Sequence, residues 1–451
     1  MERSTDDRGS IRARLVGATP QARIAALADS GSVQCFAPPG PSPHLARYGI
    51  AARDDDGVVV ASIRIDGAPV LVAAQDERYL GGSVGERHGA ALLAMLESAR
   101  RERPAAVVLL LASGGVRLHE ANAAEIALAR ALRSMLDARV DGLAVLAIGA
   151  GHVFGGASVL ACAADRLALL PGSRIGLSGP RVLESVHGKW EIDADDPQDV
   201  DNVFGAAARN QAGHVELLAD DADVVRAWVT RAARDRPSFE SQVYAMHTRL
   251  SARISGEPTR MPAFEALPCF DGATPVDRDG RLWRRPECWL TPPNSGAAIG
   301  PADAHAQDSA LLLHIAAPRG EGPAAIVLVE DSAGHQVSRA AEMRLVSQYL
   351  AHHAAVLALL RAQGRRLVGL LSGVGHSAAF FANSLQAPVL YALPEARVVA
   401  MEPAAIARVT GLDASKLVDD DPLLGQPVRH FAAWGGISKI VTTASLVAIG
   451  V

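Results

Sequence analysis

Ala105-Ala106-Val107-Val108-Leu109-Leu110-Leu111-Ala112-Ser113 runs into Gly114-Gly115, and 219 residues later Ala324-Ala325-Ile326-Val327-Leu328-Val329-Glu330-Asp331-Ser332 runs into Ala333-Gly334. Each reads as a strand buried on both faces that ends in a turn of small residues. Two further blocks recur in the same order. Gly149-Ala150-Gly151-His152 matches Gly373-Val374-Gly375-His376 at an offset of 224 residues, and Leu170-Pro171-Gly172-Ser173-Arg174 matches Leu393-Pro394-Glu395-Ala396-Arg397 at 223. Three matched blocks in one order imply two copies of one fold.

Outward from these blocks the texture alternates between strand and helix. Val58–Ile65 and Val70–Ala74 flank Asp66-Gly67, a hairpin signal. Helix Gly89–Glu102, strand Ala105–Leu111, helix Ala121–Asp137 and strand Leu143–Ile148 follow, and in the second half Ala324–Val329, Ser338–Ala362, Leu367–Leu371 and Ser377–Gln386. Such alternation predicts α/β architecture with parallel pairing. Between the halves, Ser255 to Asp308 is rich in proline and poor in periodicity, and reads as a linker or irregular segment. The expected division is 1–255, a linker at 256–308, and 309–451.

The 451 residues are 49% hydrophobic and only 4% aromatic, which predicts cores of Ala, Val, Leu and Ile. A net charge of −5 argues against non-specific nucleic-acid binding. No apolar run is long enough to span a membrane, and the polar start Met1–Asp7 lacks the apolar stretch of a signal peptide, so a cytoplasmic protein is expected. Cys35, Cys162, Cys269 and Cys288 are scattered, with no metal-binding pair, and read as reduced thiols. No metal site is expected.

In each half a strand enters a small-residue turn twice: at Gly114-Gly115-Val116 and Gly155-Gly156, and at Ala333-Gly334 and Gly375-His376-Ser377-Ala378. Glycines let backbone N–H groups approach a ligand unobstructed, and two such turns facing one another make an oxyanion hole. That is the requirement for stabilising an enolate. His152, His376 and Ser377 sit on these turns as candidate proton donors, with Ser377 equally readable as a helix N-cap.

These residues carry a family resemblance. Ser113-Gly114-Gly115-Val116-Arg117-Leu118-His119-Glu120 resembles the Ser-Gly-Gly-Ala-Arg-hydrophobic-x-Glu turn of carboxyltransferase β subunits. Gly81-Gly82-Ser83-Val84-Gly85-Glu86, Phe154–Ser158 and Ile175–Glu184 resemble other segments of the same family. Glu330–Gln336, and the helix containing Glu342, resemble the Asp-Thr-x-Gly turn of α-type carboxyltransferases. Gly375–Ala387 resembles the Ser-Gly-x-Phe-x-Ala-x-x-Leu-Gln-Ala segment of the γ subunit in the biotin-independent malonate decarboxylase family, and the opening resembles that family's β subunit. The resemblance spans Ala22 to Leu250 and Leu311 to Leu412, without a zinc ribbon or a biotin-accepting Met-Lys-Met.

The resemblance implies two tandem ClpP/crotonase-like (ββα-superhelix) domains and a fused β–γ chain. It implies decarboxylation of malonyl thioester to acetyl thioester and CO2 through an enolate. Donors would be Gly114, Gly115, Val116, Gly155 and Gly156, while Gly375, His376, Ser377 and Ala378 would hold the departing carboxylate. Ser377-Ala378 replaces the family's Ser-Gly. His152, Arg117 and Arg174 are the candidate substrate-binding side chains, with Arg117 and Glu120, close to the first turn, read as fixing its geometry rather than reacting. No bound cofactor is implied, because the substrate rides on the phosphopantetheine-type group of a separate acyl-carrier subunit. An acyl-carrier transferase subunit is the other implied partner, and self-association is left open. The alternatives are a biotin-dependent acyl-CoA carboxyltransferase and a non-catalytic scaffold.

Overall fold

The computed structural model describes residues 13–262, 267–316, 322–412 and 421–443; the polar start Met1–Asp7 lies outside them. Two sheets are built in the same way. In the first, β1 (Gln34–Cys35), β2 (Val58–Ile65), β3 (Ala68–Gln75), β4 (Ala106–Ser113), β5 (Val145–Val153), β6 (Arg166–Leu169) and β8 (Glu216–Leu217) lie side by side, with β7 (Arg174–Ile175) pairing the end of β5. In the second the order is β9 (Thr274–Pro275), β10 (Trp283–Arg284), β11 (Cys288–Thr291), β12 (Ala325–Glu330), β13 (Arg366–Leu371), β15 (Val389–Ala392) and β17 (Lys439–Ile440). A separate pair, β14 (Val374–His376) with β16 (Arg397–Val399), repeats the β5–β7 contact. In both sheets the first three strands are antiparallel and the rest parallel.

The duplication therefore extends into the segment read as a linker. Cys288-Trp289-Leu290-Thr291 is a buried strand pairing with β12 as β3 pairs with β4, and Pro301–Leu311 is a helix. The strand is four residues long, buried on both faces and flanked by prolines, so it shows neither alternation nor length. The boundary at 308/309 is corrected accordingly, because strands of the second sheet are present from Thr274 onward.

Helices cover the sheets closely because their contact faces are small. A Cβ on Gly89 of helix Glu86–Glu102 would stand 2.7 Å from the Ala127 Cβ of helix Ala121–Val140. The helix expected at Ser338–Ala362 is two, Arg339–Met343 and Val346–Ala362, broken at Leu345 (φ +55°). The Arg209 guanidinium accounts for the break, since it donates to the carbonyls of Glu342 (2.5 Å) and Met343 (3.3 Å). Likewise Ser377–Gln386 is a helix Ser377–Ala382 and a 3-10 turn Ser384–Gln386.

Buried ionisable groups set a two-sided pH dependence of stability. Glu125 is 2% exposed, its Oε2 has no partner, and burial pushes its carboxyl up to about 8. Burial pushes His88 and His214 down to about 3, and His335 and His352 down to about 4. As pH rises from the ordinary carboxyl value of 4.5 toward 8, the unfolded state releases a proton that folded Glu125 keeps, so stability is lost. As pH falls below 6.5, unfolded histidines take up protons that the folded ones refuse, so stability is again lost. The melting temperature should peak around pH 6–7, and Glu125→Leu should flatten the alkaline limb. Calorimetry from pH 5 to 9 checks this (about the range the two shifts span); an unchanged alkaline limb in the variant contradicts it.

Candidate active site

Beyond β4 the backbone folds into a tight turn whose amides are nearly all claimed. Gly114 N donates to Gly81 O (2.8 Å), Gly115 N to Ser113 Oγ (3.1 Å) and Arg117 N to Val84 O (2.9 Å), while Gly115 O accepts from Val84 N (2.7 Å). Val116 N has no partner among the described residues. Facing it, β5 leads into Phe154 N, bonded to Ser113 O (2.8 Å), and Gly155 N, bonded to Leu177 O (3.0 Å). Gly156 N, at the first residue of helix Gly156–Cys162, is again without a partner among the described residues.

The two turns touch backbone to backbone. Gly115 (φ +99°) and Gly155 (φ +59°) lie so close that a Cβ on Gly115 would be 3.0 Å from the Gly155 Cα. Glycine is required at both for conformation and for approach. Of the donors expected from sequence, the amides of Gly114, Gly115 and Gly155 hold the turns in shape, and Val116 and Gly156 are the pair left for a ligand. An open cleft of about 540 Å³ is lined by Glu77, Gly81, Gly114, Gly151, His152 and Phe154, of which Gly114 and Phe154 each stand two residues before one of these amides.

The second half repeats the first turn bond for bond. Ala333 N donates to Ala297 O (2.9 Å), Gly334 N to Ser332 Oγ (3.3 Å), Ile299 N to Gly334 O (2.7 Å) and Gln336 N to Ile299 O (2.8 Å). Ala297–Gly300, read as linker, is thus the counterpart of Gly81–Gly85. His335 N and Ala378 N have no partner among the described residues, like Val116 N and Gly156 N. The halves differ in what lies against the turn. The His376 ring lies over Gly334, its Nδ1 2.3 Å from where a Cβ would stand. Ser377 takes the position of Gly155 with φ +50°; a positive φ is strained for a side-chain-bearing residue, and such strain marks functional sites. His376, not Ser377, is the N-cap residue of its helix. Gly375 is a strand residue whose missing Cβ admits the Phe380 ring (2.9 Å), so its role is packing.

Arg117 is corrected more sharply. Its guanidinium is fully buried and donates to Asp56 Oδ1 (2.6 Å), Glu120 Oε1 (3.0 Å), Asp56 O (3.1 Å) and Ser83 O (3.0 Å), so it fixes the turn and cannot reach substrate. Arg174 pairs with Asp201 (2.7 Å) beside His152 on the neighbouring strand, and His152 is exposed on the cleft wall. Glu184, Asp193 and Asp195 are the acidic cluster close enough to share a cation among the described residues, but Lys189 Nζ sits 3.0 Å from Asp193 and 2.9 Å from Asp195.

Two groups not assigned a role from sequence join the halves here. His335 Nε2 meets Ser178 Oγ at 2.9 Å, its Nδ1 has no partner, and burial and the nearby His376 push it down to about 4. Burial lowers His376 too, against the opposing pull of Glu402. Glu342, fully buried, accepts from Leu177 N (3.1 Å) and Ser178 N (2.6 Å) with the Arg209 guanidinium 3.9 Å away. Burial raises its carboxyl and lowers Arg209. Because Leu177 O accepts from Gly155 N, a second-half carboxyl anchors the strap that anchors the first-half turn.

Two α/β halves with facing strand–turn pairs that present unclaimed amides accompany a match to the carboxyl transferase domain class. Residues 17–247 match the model of the carboxyl transferase domain, and residues 297–449 match that of the malonate decarboxylase gamma subunit. The chain belongs to the carboxyl transferase domain family, with a β-like half and a malonate decarboxylase γ-like half fused in one polypeptide. It is 33% identical over 247 residues to a malonyl-S-ACP:biotin-protein carboxyltransferase of Malonomonas rubra, covering 50% of this chain and 77% of that protein. It is 34% identical over 181 residues to the acetyl-coenzyme A carboxylase carboxyl transferase subunits beta/alpha of Parafrankia sp. (strain EAN1pec), covering 37% of this chain and 29% of that protein. A Pseudomonas malonate decarboxylase hetero-tetramer solved in complex with malonate contains a chain that superposes with TM-score 0.50 at 32% identity, over 55% of this chain and 94% of that one.

Proposed function

We propose that this chain decarboxylates a malonyl thioester to an acetyl thioester and CO2. The carrying observation is the pair of unclaimed amides, Val116 N and Gly156 N, on turns that touch at Gly115 and Gly155. Bound there, the thioester oxygen gains two donors as the bond from Cα to the carboxylate breaks and its electron pair delocalises onto that oxygen. CO2 leaves, and one proton, drawn from solvent, adds to Cα. The turn at Gly334, His335 and Ala378 is assigned to the departing carboxylate. Neutral His335 and His376 orient it rather than supply a permanent positive charge. His376 or Ser377 relays the solvent proton to Cα and is reprotonated as it does so.

The reading needs no bound cofactor and no metal. The substrate would be carried on the phosphopantetheine-type arm of an acyl-carrier subunit, loaded by an acyl-carrier transferase, with the arm entering along the cleft at His152 and Arg174. The malonate-bound relative supports the acyl group. Among the described residues no helix is long and apolar enough to cross a membrane, and a cytoplasmic setting fits the unpaired cysteines.

A second reading is favoured by the name of the Malonomonas relative: transfer of the carboxyl group to biotin. Incubating the chain with malonyl-coenzyme A or malonyl-loaded acyl-carrier protein, with and without biotin, separates the two. Acetyl thioester and CO2 formed without biotin are expected. Carboxybiotin as the product, with no CO2 release in its absence, contradicts the decarboxylase reading.

A further inference from the structure

Behind the second turn lies a polar chain that the mechanism above does not use. Ser332 Oγ, which accepts from Gly334 N, donates to Glu330 Oε1 (3.1 Å), and Glu330 Oε2 accepts from Asn383 Nδ2 (2.7 Å) and Ser384 Oγ (3.2 Å). Asn383 Oδ1 meets His353 Nε2 (3.1 Å), and His353 Nδ1 meets Asp308 Oδ1 (2.6 Å). The amide donates to Glu330 through nitrogen, so its oxygen must accept and His353 Nε2 must carry hydrogen. Asp308 likewise accepts from Nδ1. His353 is therefore an imidazolium held between Asp308 and Asn383, in keeping with the raised affinity for its proton that Asp308 confers against burial.

Asp308, Glu330, Ser332, Ser384 and His353 are all buried, and Glu330, Ser332, His353 and Asn383 line a small cavity of about 60 Å³. Burying this many polar groups is costly. The first half shows that the fold does not need them. Ser113 matches Ser332 and makes the same bond to its turn, yet the positions of Glu330, Asn383 and Asp308 are occupied there by Leu111, Ala161 and Leu93. The polar set was installed in one half only, on the turn that His376 covers.

We infer that Asp308, His353, Asn383 and Glu330 are positioning residues that fix the Ser332 hydroxyl, and through it the Gly334 amide, so that the second turn holds the malonyl carboxylate in place for departure. The inference rests on the role given to that turn above. These side chains act through Ser332 and do not touch substrate.

The test uses the full chain with malonyl-loaded acyl-carrier protein and compares Glu330→Gln with an apolar variant that carries the first-half residues Asp308→Leu, Glu330→Leu and Asn383→Ala together with His353→Leu. The apolar variant should keep or raise the melting temperature while kcat falls about tenfold or more, with a smaller change in KM. Glu330→Gln, which keeps the shape and an acceptor for Asn383, should retain kcat within about threefold of the wild type. The single variant Glu330→Leu replaces the apolar variant if that one does not fold. Apolar and wild-type proteins turning over equally overturn the inference alone. So does a parallel fall of kcat and melting temperature in both variants, the mark of a merely structural role. A wild type that releases no CO2 overturns the reading of the site, and this inference with it.

Discussion

Proline at position 156 should slow CO2 release from a malonyl thioester about 100- to 1,000-fold, while alanine there costs far less. Gly156 is the first residue of its helix, where proline's fixed φ is tolerated and its missing N–H interrupts no intrahelical bond. The substitution thus removes one donor and leaves the scaffold. Alanine introduces the same Cβ, 2.7 Å from Leu128 Cδ2, the end of a side chain that can move, but keeps the N–H. The difference between the two variants, about 3–4 kcal/mol of transition-state stabilisation, combines the lost donor with the ring carbon that proline places where the N–H pointed. A scaffold whose amides do no chemistry predicts equal rates. Steady-state CO2 release, with melting temperatures to show that both variants fold, decides between them.

Glu342→Leu should destabilise the protein by about 3–5 kcal/mol, the largest stability effect expected. The change strands Leu177 N and Ser178 N in a dry environment and leaves Arg209, 1% exposed, without its carboxyl neighbour. Unsatisfied buried donors and an uncompensated charge are each expensive. Because Leu177 holds Gly155 N, activity should fall as well, even at temperatures where the variant is folded. Glu342→Gln keeps one acceptor and should recover part of both losses. Denaturant unfolding gives the first quantity and CO2 release the second; a Leu variant within about 1 kcal/mol of wild type contradicts the account of the junction.

The duplicated fold was legible because strand–turn blocks recur in order and buried parallel strands leave continuous apolar runs, although the Gly-x-Gly-His match is two residues out of register: Val374, not His376, pairs with Arg397 as His152 pairs with Arg174. The extent of the second copy was not. Its first parallel strand is only Cys288–Thr291, and its counterpart of Gly81–Gly85 is Ala297–Gly300, which preserves the backbone bonds but, of the glycines, only the last. Glycines pointed to the right turns, yet which amide is left unclaimed depends on partners far away in sequence, such as Gly81 O and Leu177 O. Arg117 shows the same limit. Its place by the turn suggested both a geometric role and contact with substrate, and the fold keeps only the first, with Asp56 and Glu120 consuming its donors. His335 and the Asp308–His353 pair gave no local signal, because their roles come from packing between elements.

The central claim is that Val116 N and Gly156 N bind the oxygen on which enolate charge develops. The most direct measurement is a crystal structure of the chain with a coenzyme A analogue whose acyl group is replaced by a nitronate, a stable mimic of that enolate. The account predicts a nitronate oxygen about 2.7–3.1 Å from both amides, with the second turn beside its Cα substituent. An oxygen seated elsewhere, with either amide left without it, would contradict the claim.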